Sequence, residues 1–179
     1  MKDLSMHIMD IVQNSTRAKA KLIEIYIVES EKKNQLDIVI KDDGMGMDKD
    51  MLDNVTDPFT TSRTSRKVGM GLPLFKQSAE QSNGNLSISS QKGVGTIVNV
   101  EFELNHFDRP PMGDMAEAIS MIITGNPDFD FVYSHITDKD EYVVDSREVK
   151  EAIDGVPISS PDVYNLMKEM IGENLKELY

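Results

Sequence analysis

Apolar residues recur at two different spacings along this chain, and the alternation between them outlines the elements. Leu4, Ile8, Ile11 and Ser15 follow a capping Asp3 at helical spacing and predict a first helix. Residues 21–28 (KLIEIYIV) and 36–41 (LDIVIK) alternate apolar and polar, which predicts two strands joined by the charged turn SEKKNQ. Asp48 caps a short predicted helix ending near Val55. Leu72, Phe75 and Ala79 set a helix over 71–82, with Asn83-Gly84 as its C-cap. Strands are predicted over 86–90 and 96–104, the second with Thr96, Val98, Val100, Phe102 and Leu104 on one face.

The paired prolines and polarity of HFDRPPMGD mark 106–114 as a linker. Beyond it the pattern gives a helix from Met115, a hairpin turning at Asp138-Lys139-Asp140, a helix capped by Ser146, and a last helix opened by Ser160-Pro161. Residues 1–105 and 115–179 therefore read as two units, the second an αββαα appendage. Whether the appendage docks onto the first unit or receives a partner stays open at this level.

Charge sharpens that division. The net charge is −12, yet residues 1–106 carry 13 Lys+Arg against 15 Asp+Glu, while residues 107–179 carry 6 against 16. Such a balance opposes nucleic-acid binding, which needs a basic face. No apolar run is long enough to span a bilayer, and the acidic N-terminus does not resemble a signal peptide. The absence of cysteine excludes disulfides, thiolate metal sites and cysteine catalysis, and fits a cytoplasmic protein.

Candidate chemistry lies where polar residues interrupt these patterns. Asp10 and Asn14 stand four apart on the polar side of the first helix, with Arg17 one turn beyond; an ordinary solvated helix face would look the same. The second strand runs into Asp42-Asp43-Gly44-Met45-Gly46, where two glycines allow a tight backbone path. Asp57–Leu74, DPFTTSRTSRKVGMGLPL, joins a Phe59 anchor and hydroxyls to a cationic segment. It ends in Gly69 and Gly71 just ahead of a helix with Pro73 in its first turn. Glycines before a helix N-terminus suit close approach to an anion, and a basic loop over such a site reads as a lid on a polyphosphate.

In this order, the motifs resemble the ATP-binding domain of the GHKL superfamily, which includes gyrase B, heat-shock chaperones, mismatch-repair ATPases and histidine kinases. DPFTTSR, VGMGLPL and KGVGTIVNVEF are most similar to the histidine kinase catalytic domain. The match covers about residues 1–105. It implies a Bergerat fold: an α+β two-layer sandwich, its mixed, mainly antiparallel sheet covered by helices on one face. It also implies ATP and Mg²⁺ as ligands. Asn14 would then contribute an amide oxygen to Mg²⁺, and Asp42 would accept a hydrogen bond from the adenine amino group. Gly44 and Gly46 would let the base lie against the backbone, and Thr96 would support its recognition. Phe59, Thr60 and Thr61 belong to the phenylalanine motif, while Arg17 and Arg63 match phosphate-contacting cations. Gly69, Gly71 and Leu72 would offer backbone N–H groups to the phosphates.

Departures from the resemblance limit what it implies. The acid before the asparagine is Asp10, where gyrase-like ATPases have glutamate, so Asp10 is a candidate general base or a structural, water-holding residue. No hairpin bearing a phosphoacceptor histidine precedes the domain, and His7 lies on the nucleotide helix itself. A stand-alone kinase phosphorylating a protein partner in trans is therefore one expected function, and an ATP/ADP-sensing module with little turnover or slow hydrolysis is the other. A homodimer is compatible with either.

Overall fold

A computed structural model describes residues 2–57 and 70–179. Helix α1 (Leu4–Arg17) is capped by the Asp3 carboxylate, which accepts from the Met6 N–H. Then follow β1 (Leu22–Ser30), β2 (Gln35–Asp42), α2 (Lys49–Asn54), α3 (Gly71–Glu80), β3 (Asn85–Gln91) and β4 (Gly95–Glu103). The chain continues with α4 (Met115–Gly125), β5 (Asp130–Ile136), β6 (Glu141–Asp145), α5 (Ser146–Ala152) and α6 (Pro161–Glu177). The expected α+β sandwich with one helix-covered sheet face is the architecture observed.

The strands form one sheet in the order β3-β4-β2-β1-β5-β6. Every neighbouring pair is antiparallel except β1 and β5, which are parallel. The segment after residue 105 therefore continues the sheet of the first unit, with the whole of β5 paired to Leu22–Val28 of β1. Residues 106–114 lie against the start of α1, where Pro111 and Met112 carbonyls accept from the Leu4 and Ser5 N–H groups. These first-turn donors have no acceptor within the helix, so the segment supplies what the helix start lacks.

Cross-strand rows explain the core. On the helix-facing side, Ile88, Val98, Ile40, Ile25 and Tyr133 are lateral neighbours, as are Leu86, Val100, Ile38, Ile27 and His135. The central β1, β2 and β4 members of these rows are buried, and α1, α3 and α4 pack over them. Alternation with period two makes this face continuous, while Glu24 and Lys41 form an ion pair on the other face. The rows become polar at both ends. At one end Glu29 accepts from the His135 Nε2–H at 2.6 Å, and the Tyr133 hydroxyl lies 2.7 Å from His135 Nδ1. The Tyr179 hydroxyl also donates to Glu29, fastening the end of α6 to the sheet. Burial alone would raise the Glu29 carboxyl, but these donors hold it below its usual range.

One cap differs from expectation, and the Asn83-Gly84 cap forms as expected. Asp145, not Ser146, caps α5, accepting from the Arg147 N–H. Ser146 is instead buried, its hydroxyl accepting from the Phe131 N–H across the sheet edge. At the end of α3, Asn83 takes the left-handed conformation (φ 53°) and Gly84 does not.

His7 is buried between α1 and α3, stacked on Phe75 with ring centroids 4.6 Å apart. Its Nε2 meets the Ser78 hydroxyl, and its Nδ1 has no partner. Burial disfavours the charged ring and lowers its pKa to about 4. The unfolded chain therefore binds the extra proton between that value and about 6.5. This stabilisation is complete above about pH 6.5 and is lost as pH falls through 4, by up to about 3 kcal/mol. Chemical denaturation at pH 7 and pH 4.5 should show a smaller loss in His7→Phe than in the wild type. An identical loss in both would show that His7 does not carry the acid sensitivity.

Candidate functional site

The third helix-facing row of the sheet runs Ser90, Thr96, Asp42, Ile23, Phe131. The surface that is apolar through the middle of the sheet thus turns polar where β2 ends and β3 and β4 meet their turn. Asp42 is half-buried there and fully engaged on one side. Its Oδ1 accepts from the Gly44 N–H at 2.9 Å, and its Oδ2 accepts from the Ser15 hydroxyl at 2.6 Å. An ionised carboxylate has about four lone-pair positions, so two such bonds fix its plane and leave capacity for further donors.

Thr96 sits beside it in register. The Ser90 hydroxyl lies 3.0 Å from the Gly95 carbonyl and 2.8 Å from the Thr96 hydroxyl, and it accepts from the Met47 N–H at 2.8 Å. If the single Ser90 proton goes to the Gly95 carbonyl, Thr96 donates to Ser90 and keeps its own lone pairs open. The polar row therefore offers acceptors at Asp42 and Thr96, both set by neighbouring hydroxyls.

The loop that follows β2 is pinned on three sides. Met45 N–H donates to the Ala18 carbonyl, Gly93 N–H donates to the Met45 carbonyl, and Asp43 accepts from the Lys21 and Leu22 N–H groups. The glycines serve this packing. A Cβ on Gly46 (φ +65°) would lie 2.0 Å from the Gln91 carbonyl oxygen, and one on Gly95 (φ +143°) 2.0 Å from that of Asp42. A Cβ on Gly44 would press on Ala18 and on the Asp42 carboxylate, each at 2.9 Å. Protein atoms thus occupy the space that a Cβ would take at both glycines, which gives the close packing of this loop a need for glycine of its own.

Asp10, half-buried, faces the start of α3, and Asn14, also half-buried, follows one turn later on the same side of α1. A Cβ on Gly71 would come within 2.8 Å of Asp10 Oδ2 and 3.1 Å of Asp10 Cβ, so a larger residue there would press on the Asp10 side chain. Met70 gives α3 no side-chain cap, and helix geometry leaves the Gly71 and Leu72 N–H groups without intrahelical acceptors. The Leu72 side chain is buried in the core, which anchors this helix start. Arg17 goes elsewhere. It is exposed and lines a cleft of 340 Å³ with Met9, Val12 and Met121, between α1 and α4. Phe59, Thr60, Thr61, Arg63 and Gly69 lie outside the described residues.

Ser15 is the member that sequence reasoning passed over, since it counted only as part of the apolar stripe of the first helix. Its buried hydroxyl was the available signal, because a buried donor needs a partner. The partner proves to be Asp42.

The family model for histidine kinase-, DNA gyrase B- and HSP90-like ATPases matches residues 2–106. The chain belongs to this family. The matched part includes α1, the polar end of β2, the α3 start and β4. The chain is similar to the sensor histidine kinase YvrG of Bacillus subtilis, 24% identical over 98 residues, which are 52% of this chain and 17% of that protein. It is similar also to the autoinducer 2 sensor kinase/phosphatase LuxQ of Vibrio parahaemolyticus, at 31% over 52% of this chain and 11% of the relative. The sensor histidine kinase ZraS of Escherichia coli is 26% identical over 62% of this chain and 23% of its own length. The chain thus spans less than a quarter of each.

Among solved structures, the N-terminal domain of a DNA repair protein superposes with a TM-score of 0.55 at 18% identity. That match covers 88% of this chain and 58% of the other, so the shared fold continues past the residues of the family model. No helix among the described residues is long and apolar enough to cross a membrane.

Proposed function

We propose that this GHKL-type domain binds Mg-ATP and acts in trans as a protein kinase in signalling. The observation that carries the reading is the polar row, in which the Ser15-held Asp42 carboxylate and the Thr96 hydroxyl stand side by side at the end of an otherwise apolar sheet surface. A carboxylate acceptor next to an apolar wall suits the amino group of adenine, and a guanine oxygen at the same place would meet a second acceptor. Phosphates would then run toward α3, where the helix dipole and the Gly71 and Leu72 N–H groups favour negative charge.

The donor set fits magnesium. Asn14 supplies a hard amide oxygen and Asp10 a carboxylate one turn away. Among the described residues no cluster of three or more acidic or histidine side chains could cage a metal alone. A magnesium ion that keeps several waters and arrives with the phosphates needs no such cage. Asn14 would hold it, and it would neutralise charge on the phosphates. Asp10 would orient the attacking group or a water, and the α3 N–H groups would fix the phosphoryl oxygens.

Incubation with γ-labelled ATP, Mg²⁺ and an extract from cells lacking the protein tests the kinase step. The expected result is a labelled protein band that disappears with Asn14→Ala, while the variant's thermal melt stays unchanged. Saturated ATP binding with no transfer to protein would overturn it.

A second reading is an ATP/ADP-sensing module, and one observation favours it. Asp43, next to Asp42, holds the Lys21 and Leu22 N–H groups, and the Lys21 carbonyl accepts from the Asp130 N–H at the start of β5. The nucleotide loop is therefore two hydrogen bonds from the acidic C-terminal part, which gives an output surface a direct link to the site.

A further inference from the structure

We propose that the outer edge of β3 is a self-pairing surface, on which a second copy of this chain adds its own β3 antiparallel to form one continuous sheet across a two-fold axis. The two ends of the sheet are built differently. β6 is five residues long with Glu141 and Asp145 at its ends, so charge and shortness protect it. β3 is seven residues, Asn-Leu-Ser-Ile-Ser-Ser-Gln, without a charge, a proline or a bulge against β4. Among the described residues its only strand partner is β4, and the one further backbone hydrogen bond that reaches it is the turn bond from the Val94 N–H to the Gln91 carbonyl. Such an edge presents a row of unpaired N–H and C=O groups.

The occupant follows from charge and register. With a net charge of −12, two copies repel over most of their surface, and an uncharged strand is where they can approach. An antiparallel pairing centred on Ile88 is self-complementary. Ser87 of one copy then faces Ser89 of the second, Asn85 faces Gln91, and Leu86 faces Ser90. Ile88, half-buried at the edge, meets its own equivalent and is covered. No like charges oppose one another in this register. The same strand on both copies is the isologous contact of a closed dimer, so association stops at two.

The test uses the intact chain. Sedimentation equilibrium of the wild type should show a concentration-dependent monomer–dimer equilibrium. Two variants then probe the register. S87K/S89K places lysine opposite lysine across the axis, and S87E/S89E places glutamate opposite glutamate. Both positions are exposed and pair with Asn99 and Ile97 within the monomer, so the fold is kept. Directly opposed like charges destabilise cross-strand pairs, and each variant alone should raise the dimer Kd by about tenfold or more. An equimolar mixture of the two should dimerise again, because each lysine then faces a glutamate. A second readout guards against loss of folding. The chain has no cysteine, so S87C mixed with S89C should form a disulfide-linked dimer on oxidation, and neither should do so alone. A wild type that stays monomeric at high concentration would overturn the proposal. So would a dimer indifferent to both charge variants, or a mixture that fails to recover.

Discussion

Replacing Asp42 by Asn is expected to weaken Mg-ATP binding by about tenfold to a hundredfold, since bonds to an ionised acceptor contribute about 1.5–3 kcal/mol. The carboxylate already serves the Gly44 N–H and the Ser15 hydroxyl. An amide has one acceptor oxygen and brings two donors of its own. If that oxygen stays with Gly44, the amide NH₂ turns toward Ser15, whose hydroxyl can rotate to accept it. The adenine amino group is then the donor left without a strong acceptor. Ser15→Ala removes only the bond that fixes the carboxylate plane, so its loss should be smaller and should appear for ATP and ADP alike. Calorimetric titration of wild type, Asp42→Asn and Ser15→Ala, with the thermal melt of each as a folding control, separates these effects. Equal ATP affinities for wild type and Asp42→Asn would sink the adenine assignment.

What was legible in the sequence, and what was not, divides along the range of the interactions. The first helix, the 21–41 hairpin and the β3–β4 hairpin are encoded by local period and by near neighbours, and the structure places them within a residue or two. The Asp3 and Asp48 caps are equally local. The parallel pairing of β1 with β5 joins strands separated by more than a hundred residues, and no local pattern specifies it. It emerges only once α4 crosses the helix face and β1 is left with a free side. Partnerships of single polar groups were likewise hidden. Ser15 with Asp42, Ser146 with Phe131, and Glu29 with His135 each join residues far apart in the chain. The residues were visible as polar interruptions of apolar patterns, but the sequence does not say which interruption meets which. Motif order carries long-range information that periodicity lacks: it grouped Asp42, Asn14 and Thr96 in one expectation, and the structure sets Asp42 and Thr96 side by side in register.

Gly84 shows the same contrast, and it carries the largest expected effect on stability. From the sequence, Asn83-Gly84 reads as a helix C-cap, without a choice of which of the two is the left-handed residue. In the structure that residue is Asn83, at φ 53°, and its side chain donates to Glu103. Gly84 has another duty. A Cβ there would lie 1.7 Å from the Glu101 carbonyl oxygen and 2.6 Å from its carbon, both backbone atoms of β4. The chain cannot simply retreat, because the Gly84 N–H donates to the Ala79 carbonyl at 2.8 Å and the Glu103 N–H donates to Ser82 at 3.0 Å. Gly84→Ala must therefore push α3 away from β4 or break one of these bonds, at an expected cost of about 3 kcal/mol or more. For a chain of this size that corresponds to a fall in Tm of roughly 10 °C. Asn83→Gly should change Tm far less, because glycine accepts the left-handed conformation without strain and only a surface hydrogen bond is lost. If the two glycine-site variants were reversed, with Asn83→Gly the more damaging, the cap would be the determinant and the contact with β4 would not. The expected order matters for the site as well. On the proposed function α3 carries both the N–H groups that would meet the phosphates and Leu72 in the core, so a shift of its far end that unfolds little should still lower ATP affinity. A Gly84→Ala protein that is destabilised yet binds ATP normally would mean that the start of α3 is held by Asp10 and the core alone.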